Sequence, residues 1–137
     1  MTSKTSTTAS DVDRQPVSDV LKRLYEAWEA NDARAFVADY LDDASVVQPG
    51  IYKKGREEIR TTMAAGFAGP LQGSRVINHP QDIRFLTDET AIVVSEDGIL
   101  FPGQDDVPSE ALVRATWVLA KRDGSWQVAA YHNSPAI

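Results

Sequence analysis

The sequence predicts an α+β fold, in which three helices pack on one side of a curved and mainly antiparallel sheet. Apolar residues recur at helical spacing in three early segments, and long alternating segments separated by turn residues fill the second half. Helices followed by consecutive strands are typical of this class. With 137 residues, of which 42% are hydrophobic, the chain is long enough for one domain with a real core.

The first helix is predicted to begin near Pro16. Residues 1–15, "MTSKTSTTASDVDRQ", contain one aliphatic residue and are predicted to form a disordered tail, which leaves 16–137 as a single domain. Asp32 is predicted to cap a second helix over 33–41. A third helix is predicted from Arg56 to Phe67, because its two early glutamates suit the positive end of the helix dipole. The apolar positions of the first helix are Val17, Leu21, Leu24 and Trp28.

The strands are predicted from alternation and from turn residues. "DDASVVQPG" predicts a short strand that stops at Pro49–Gly50, and "IYKKG" predicts a second small strand. Longer strands are predicted over 74–87, 90–101, 110–122 and 126–133. Pro80 predicts a bulge in the first of these, and Asp123–Gly124 predicts the hairpin turn before the last.

Composition disfavours several functions. The net charge of -6 opposes binding to nucleic acid or to an anionic membrane surface. The chain has no cysteine, and its two histidines stand far apart without a metal-binding motif, so no metal site is expected. No glycine-rich dinucleotide motif follows a strand, so no cofactor is expected. No signal peptide or apolar run of about 20 residues is present, and a cytoplasmic protein is expected.

Three stretches carry a family resemblance: "YEAWEANDARAFVADYLDDASVVQPG", "GREEIRTTM" and "RDGSWQVAAYHNSP". They resemble the NTF2-like superfamily, also called SnoaL-like or ketosteroid-isomerase-like, and most closely its SgcJ/EcaC subgroup, which is associated with enediyne polyketide biosynthesis. The resemblance implies a cone-shaped sheet with an open mouth and a small hydrophobic ligand such as a polyketide or enediyne intermediate. It also implies a homodimer formed through the sheet, with a polyketide synthase or thioesterase as a possible partner.

The resemblance also allows a check of the steroid-isomerase mechanism. The family's base is an Asp in the motif "DDATVEDP", and the matching stretch here, "DDASVVQP", has Gln48 at that position. An amide cannot shuttle a proton near neutral pH. The family's oxyanion-donating Tyr matches Leu24, and Tyr25 is displaced from it by about 100° around the helix. The steroid-isomerase mechanism is therefore not expected.

Polar residues on the last strands are the first candidates for a site. His132 is a candidate acid–base group, or else an inert histidine at the rim, and alternation sends Asn133 to the opposite face. Arg114 and Thr116 share a face, with Glu96 as the natural partner. They form either an anion clamp in a pocket or a structural ion pair on the outer face. Trp117, on the other face of that strand, is predicted to be covered by a second subunit.

Other residues complete the predicted pocket. Tyr40, Gln48 and Tyr52 are placed near the mouth, and Trp28 and Trp126 are placed in its lining. The residues leave open whether the protein is an enzyme. It is either a non-catalytic accessory that binds and shields the ligand, or a cofactor-independent isomerase, cyclase or hydrolase that uses His132. A purely structural dimerisation module would need a filled interior.

Overall fold

The computed structural model describes the backbone of residues 9–137 and the side chains of residues 13–137. The helices are α1 (Ala9–Glu29), α2 (Ala33–Phe36) and α3 (Arg56–Phe67), and a 3-10 turn covers Ser109–Ala111. The strands are β1 (Tyr40–Gln48), β2 (Ile51–Lys54), β3 (Arg75–Thr87), β4 (Thr90–Leu100), β5 (Val113–Arg122) and β6 (Ser125–Pro135). The predicted α+β class is confirmed.

The six strands form one mixed sheet in the order β2-β1-β6-β5-β4-β3. β1 runs parallel to β6, and every other neighbouring pair is antiparallel, so the prediction of a mainly antiparallel sheet is confirmed. Through this parallel pair, β1 and β2 join the long antiparallel strands β3 to β6 in one sheet. No helix within residues 9–137 is long and apolar enough to cross a membrane.

Helix α1 begins at Ala9, earlier than the predicted start at Pro16. Residues 9–15 are therefore helical rather than part of a disordered tail, and residues 1–8 of that predicted tail lie outside the described residues. Asp13 is buried, and the Nζ atom of Lys121 on β5 lies 3.3 Å from its Oδ1 atom. This contact holds the first turns of α1 against the sheet, although the low apolar content of these turns does not predict it.

The second helix is shorter than predicted. Asp32 caps it as expected, since its Oδ1 atom accepts a hydrogen bond of 3.1 Å from the backbone N–H of Ala35. However, α2 ends at Phe36, and Tyr40 begins β1 instead of ending a helix at 41. Tyr40 pairs with Val128 of β6 in the parallel ladder, so pairing with a distant strand overrides the local helical pattern.

The core lies between α1, α3 and one face of the sheet. Ile59, Met63 and Phe67 of α3 are buried as predicted. On α1 the buried residues recur at helical spacing and form one apolar stripe that faces the core. The buried α1 residues are Val17, Val20, Leu21, Leu24 and Ala27.

Two of the register shifts in the sheet bear on the sequence predictions. The register of β3 shifts between Pro80 and Asp82, which confirms the predicted bulge. The register of β6 also shifts: Val128 pairs with Leu119 and Ala130 pairs with Val118, which leaves Ala129 as an extra residue. A bulge reverses the alternation beyond it. Residues 131 and 133 therefore face the same side as Trp126 and Val128, whereas His132 faces away.

The two faces of β5 are the reverse of the prediction. Trp117 is 1% exposed and lies inside the subunit, with its ring edge-on to Tyr25 of α1 at 6.1 Å between centroids. The expectation that a second subunit covers Trp117 is therefore wrong. Alternation identifies two faces but does not say which one packs on the helices. A dimer formed through the sheet stays a prediction, and its surface would include Arg114 and Thr116 instead.

Candidate functional site

A cavity of about 340 Å³ lies between the helices and the inner face of the sheet. This volume is at the small end of the range for small-molecule pockets. Phe101 and Ala111, from the segment between β4 and β5, also line it. A Cβ atom at Gly98 of β4 would collide with Val107 of that segment, so glycine lets the segment pack closely on the strand. The polar and charged residues in the lining are Tyr25, Tyr40, Gln48, Lys53, Asp97, Tyr131 and Asn133.

Aromatic side chains form much of the apolar wall. The ring of Trp28 packs edge-on to Phe36 and Phe67, with centroids 5.8 Å and 5.6 Å away. Its Nε1 atom donates a hydrogen bond of 2.9 Å to the Oγ atom of Ser74, which satisfies the indole N–H and fixes the ring. Trp28 therefore presents a fixed apolar surface to whatever occupies the cavity.

Asp97 is the centre of a hydrogen-bonded cluster in the cavity lining. This residue is 3% exposed, and its carboxylate accepts hydrogen bonds from three neutral side chains. The donors are Ser95 Oγ at 2.8 Å, Asn78 Nδ2 at 2.5 Å and Tyr25 Oη at 3.4 Å. No cation within residues 13–137 forms an ion pair with Asp97.

Burial gives this cluster unusual acidities. Burial raises the pKa of Asp97 above the ordinary value, although the hydrogen bonds from Ser95, Asn78 and Tyr25 oppose that rise. Burial, and then the charge of Asp97, raise the pKa of Tyr25 well above its ordinary value. Tyr25 therefore remains a protonated donor near neutral pH, and Asp97 is better able than an exposed carboxylate to hold a proton.

Tyr131 and Asn133 extend the cluster along β6. The Nδ2 atom of Asn133 donates a hydrogen bond of 2.8 Å to Tyr131 Oη, and the ring of Tyr131 lies 4.3 Å from that of Trp117. Burial raises the pKa of Tyr131 to about 12, so its hydroxyl stays protonated. Together with Tyr25 and Asp97, these side chains form what we call the polar cluster.

Gln48 and Lys53 line the cavity from β1 and β2. Lys53 pairs with Val46, which is buried, and cross-strand partners project from the same face of a sheet. Both side chains therefore project to the inner face. Burial lowers the pKa of Lys53, and the nearby charge of Glu58 opposes that change.

Four of the predicted pocket residues line this cavity: Trp28, Tyr40, Gln48 and Asn133. Burial also raises the pKa of Tyr40, which keeps its hydroxyl neutral. Trp126 is buried but lies outside the cavity, with its ring 5.6 Å from that of Phe85.

The predicted catalytic residue, His132, does not reach the cavity. The bulge at Ala129 turns it to the outer face, where it is exposed and pairs with Val47. Tyr52 also pairs with Val47 and is 64% exposed, so its predicted place in the pocket is wrong as well. For His132 the physical cause is the bulge, because simple alternation from Trp126 no longer holds beyond Ala129.

Glu96, Arg114 and Thr116 also lie outside the cavity. The Nη2 atom of Arg114 lies 2.8 Å from Glu96 Oε2 in an ion pair whose side chains are 49% and 28% exposed. Of the two readings left open by the sequence, the structure shows the ion pair on the outer face. Arg114 is three residues from Trp117 on β5, so its side chain projects from the other face of the sheet. An anion clamp in the pocket is therefore excluded for Arg114.

Sequence reasoning missed Tyr25, Lys53, Asp97, Trp117 and Tyr131. Tyr25 is displaced around the helix from the oxyanion-donor position at Leu24, yet both side chains are enclosed. Leu24 lies in the core and Tyr25 lies beside the cavity. Asp97 had a signal in the sequence. It lies at the end of an alternating series with Ala91 and Val93, and a carboxylate on such an apolar face marks a candidate site.

This order of helices and strands around a cavity is the NTF2-like fold. The chain belongs to the SnoaL-like domain family, whose sequence profile matches residues 17–137. The SgcJ/EcaC subgroup itself stays a prediction. A comparison with curated proteins found no match.

Solved structures that resemble this chain agree on the fold. A domain of unknown function with a cystatin-like fold from Nostoc punctiforme is 22% identical, with a TM-score of 0.85 over 96% of this chain and 80% of that chain. An NTF-2-like protein of unknown function from Shewanella oneidensis is 20% identical, with a TM-score of 0.76 over 88% and 98%. A ketosteroid isomerase-like protein from Erwinia carotovora atroseptica is 20% identical, with a TM-score of 0.72 over 91% and 97%. At these identities the likeness shows the fold alone.

Proposed function

We propose that this protein binds a small, mostly apolar metabolite in its cavity. The observation that carries the proposal is an aromatic-lined space of about 340 Å³ with a few hydrogen-bonding groups in its lining. Small-molecule sites commonly combine an apolar lining with a few convergent polar groups. A structural module alone would have no need for a hollow interior, because close packing is what stabilises a core.

The polar cluster defines which ligand atoms fit. One N–H of Asn133 is used by Tyr131, which leaves its second N–H and its carbonyl oxygen for a ligand. A ligand hydroxyl or carbonyl beside Asn133 and Tyr25 would therefore be well bound. A conjugated polyketide or enediyne intermediate has this chemistry, and the resemblance to SgcJ/EcaC proteins favours it. The role that follows is an accessory protein that shields such an intermediate, with a synthase or thioesterase as its source.

A second candidate function is a cofactor-independent isomerase, cyclase or hydrolase. One observation favours it: Asp97 combines a raised pKa with a place on the cavity wall beside the Tyr25 hydroxyl. In this mechanism Asp97 takes a proton from the ligand, and the Tyr25 hydroxyl turns its single proton from the Asp97 carboxylate to the ligand oxygen that gains charge. Asp97 replaces His132 in this candidate, since His132 faces outward.

Ligand binding can be tested with a neutral fluorescent probe, N-phenyl-1-naphthylamine. The probe should bind, and Met63→Trp should weaken its binding at least tenfold, because a larger side chain fills the cavity lined by Met63. His132→Asn, on the outer face, is the matched control and should bind as the wild type does. Equal binding by all three proteins, or no binding at all, would refute the proposal.

Carrier and enzyme can be separated by mass spectrometry of polyene extracts incubated with the protein. If the protein is a carrier, a compound should co-purify with it unchanged. If it is an enzyme, a product should form with the wild type and be lost with Asp97→Asn, which keeps the shape of the side chain but cannot accept the proton.

A further inference from the structure

Lys53 stands out among the residues that line the cavity. Its side chain is the single cation in that lining, and Asp97 is the single carboxylate, within the part of the chain whose side chains are described. Lys53 is half-buried, and its neighbour Lys54 is exposed. The ion pairs of residues 13–137 all use other cations, so Lys53 has no carboxylate within 4.0 Å.

Glu58, the carboxylate whose charge acts on Lys53, has a hydrogen bond to a different group. The Oε2 atom of Glu58 accepts a hydrogen bond of 3.0 Å from the backbone N–H of Lys54. Glu58 is therefore anchored to the backbone at the start of α3 and does not form an ion pair with the Lys53 ammonium group. A half-buried cation that lacks a partner loses hydration without gaining a compensating contact. This imbalance is also the physical reason that its pKa is lowered.

The position of Lys53 relative to the polar cluster matters as well. In the sheet order, β2 and β4 are separated by β1, β6 and β5. Lys53 and Asp97 therefore reach the cavity from strands that are not neighbours. A ligand anion at Lys53 need not lie against the Asp97 carboxylate, and the apolar lining of the cavity can take an apolar body.

We propose that Lys53 recognises a carboxylate at the β2 end of the cavity, so that the ligand is an apolar carboxylic acid with its hydrogen-bonding end on the polar cluster. This inference rests on the proposed binding function and specifies its ligand class. The net charge of -6 disfavours anions in general, so a dedicated cation is what permits an anionic ligand here. A charge-assisted hydrogen bond from Lys53 supplies that selectivity.

The test compares decanoate with decanol, a matched pair that differs in the charged end, as competitors of bound N-phenyl-1-naphthylamine. At neutral pH the wild type should prefer decanoate by about tenfold, which is typical of one hydrogen bond to a charged group. Lys53→Gln should remove this preference but retain decanol binding, which shows that the variant is folded. Lys54→Gln is the matched control and should keep the wild-type preference.

Each outcome decides one of the two proposals. Equal affinity for decanoate and decanol in the wild type overturns the assignment of Lys53 and leaves ligand binding intact. The same loss of preference in Lys53→Gln and Lys54→Gln also overturns it, because a general surface charge effect would then explain the result. If the naphthylamine probe does not bind, or if neither competitor displaces it, the proposed binding function fails, and the assignment fails with it.

Discussion

Glu96 and Asp97 are consecutive carboxylates on β4 with opposite environments. Glu96 lies on the outer face, where Arg114 neutralises it in a partly exposed ion pair. Asp97 lies on the inner face, is 3% exposed and accepts hydrogen bonds from neutral groups. The comparison teaches that one residue along a strand separates a surface ion pair, which contributes little, from a buried carboxylate on the cavity wall.

The same contrast between inner and outer faces appears on β6, where it depends on a bulge. Tyr131 and Asn133 line the cavity, whereas His132 between them is exposed. Without the bulge at Ala129, simple alternation from Trp126 would place His132 inside and both of its neighbours outside. The bulge therefore decides which polar groups of this strand face the cavity.

The largest difference between the faces should appear when side chains are truncated on β5. Trp117→Ala should lower the free energy of unfolding by about 3–5 kcal/mol, because it removes a large side chain from the buried wall. Thr116→Ala, one residue away on the outer face, should change it by about 0.5 kcal/mol or less. Urea denaturation followed by circular dichroism measures both values.

A conservative variant makes this comparison more specific. The Nε1 atom of Trp117 is buried without a hydrogen-bond partner among the described residues. Trp117→Phe removes that unsatisfied donor and keeps an aromatic ring, so it should cost much less than Trp117→Ala. If the alanine variants at 116 and 117 lose the same stability, the assignment of inner and outer faces on β5 is wrong.

A smaller difference should appear in the dependence of stability on pH. The folded-state pKa of Asp97 is raised above its unfolded value of about 4. Below pH 4 both states hold the proton. As the pH rises from about 4 through the folded pKa, the unfolded chain releases the proton first, and the free energy of unfolding falls by about 1.4 kcal/mol for each unit of difference.

Asp97→Asn removes this titration. The stability of the wild type relative to Asp97→Asn should therefore decline between pH 4 and pH 7, as measured by urea denaturation at each pH. Glu96→Gln is the control, since it removes a neighbouring carboxylate from the outer face. A relative stability that stays constant or rises with pH would show that Asp97 is not the buried group described above.

Much of the fold follows from local sequence patterns. Asp32 caps α2, the α3 residues Ile59 and Met63 point inward, and Pro80 marks a bulge, all as predicted from neighbouring residues. The exceptions depend on distant contacts. Tyr40 leaves its predicted helix to pair with Val128, and residues 9–15 become helical with Asp13 held by Lys121. Local patterns do not contain those partners.

The site was less predictable because it depends on which face of each strand is buried. Alternation correctly separated Arg114 from Trp117, but gave no reason to place Trp117 inside. The bulge at Ala129 has no proline or glycine to mark it, so no neighbouring residue indicates that His132 and Asn133 exchange faces. Gln48 and Trp28 line the cavity as predicted, because neither prediction depends on the alternation of β5 or β6.

Cysteine labelling can measure directly which side chains of β6 face the cavity beyond Ala129, because the chain has no native cysteine. Single variants His132→Cys and Asn133→Cys would be treated with a thiol reagent, with and without N-phenyl-1-naphthylamine. The first should react at the rate of an exposed thiol and ignore the probe, whereas the second should react far more slowly and be protected further by the probe. Faster labelling at position 133 than at 132, or protection by the probe at 132 alone, would contradict the account.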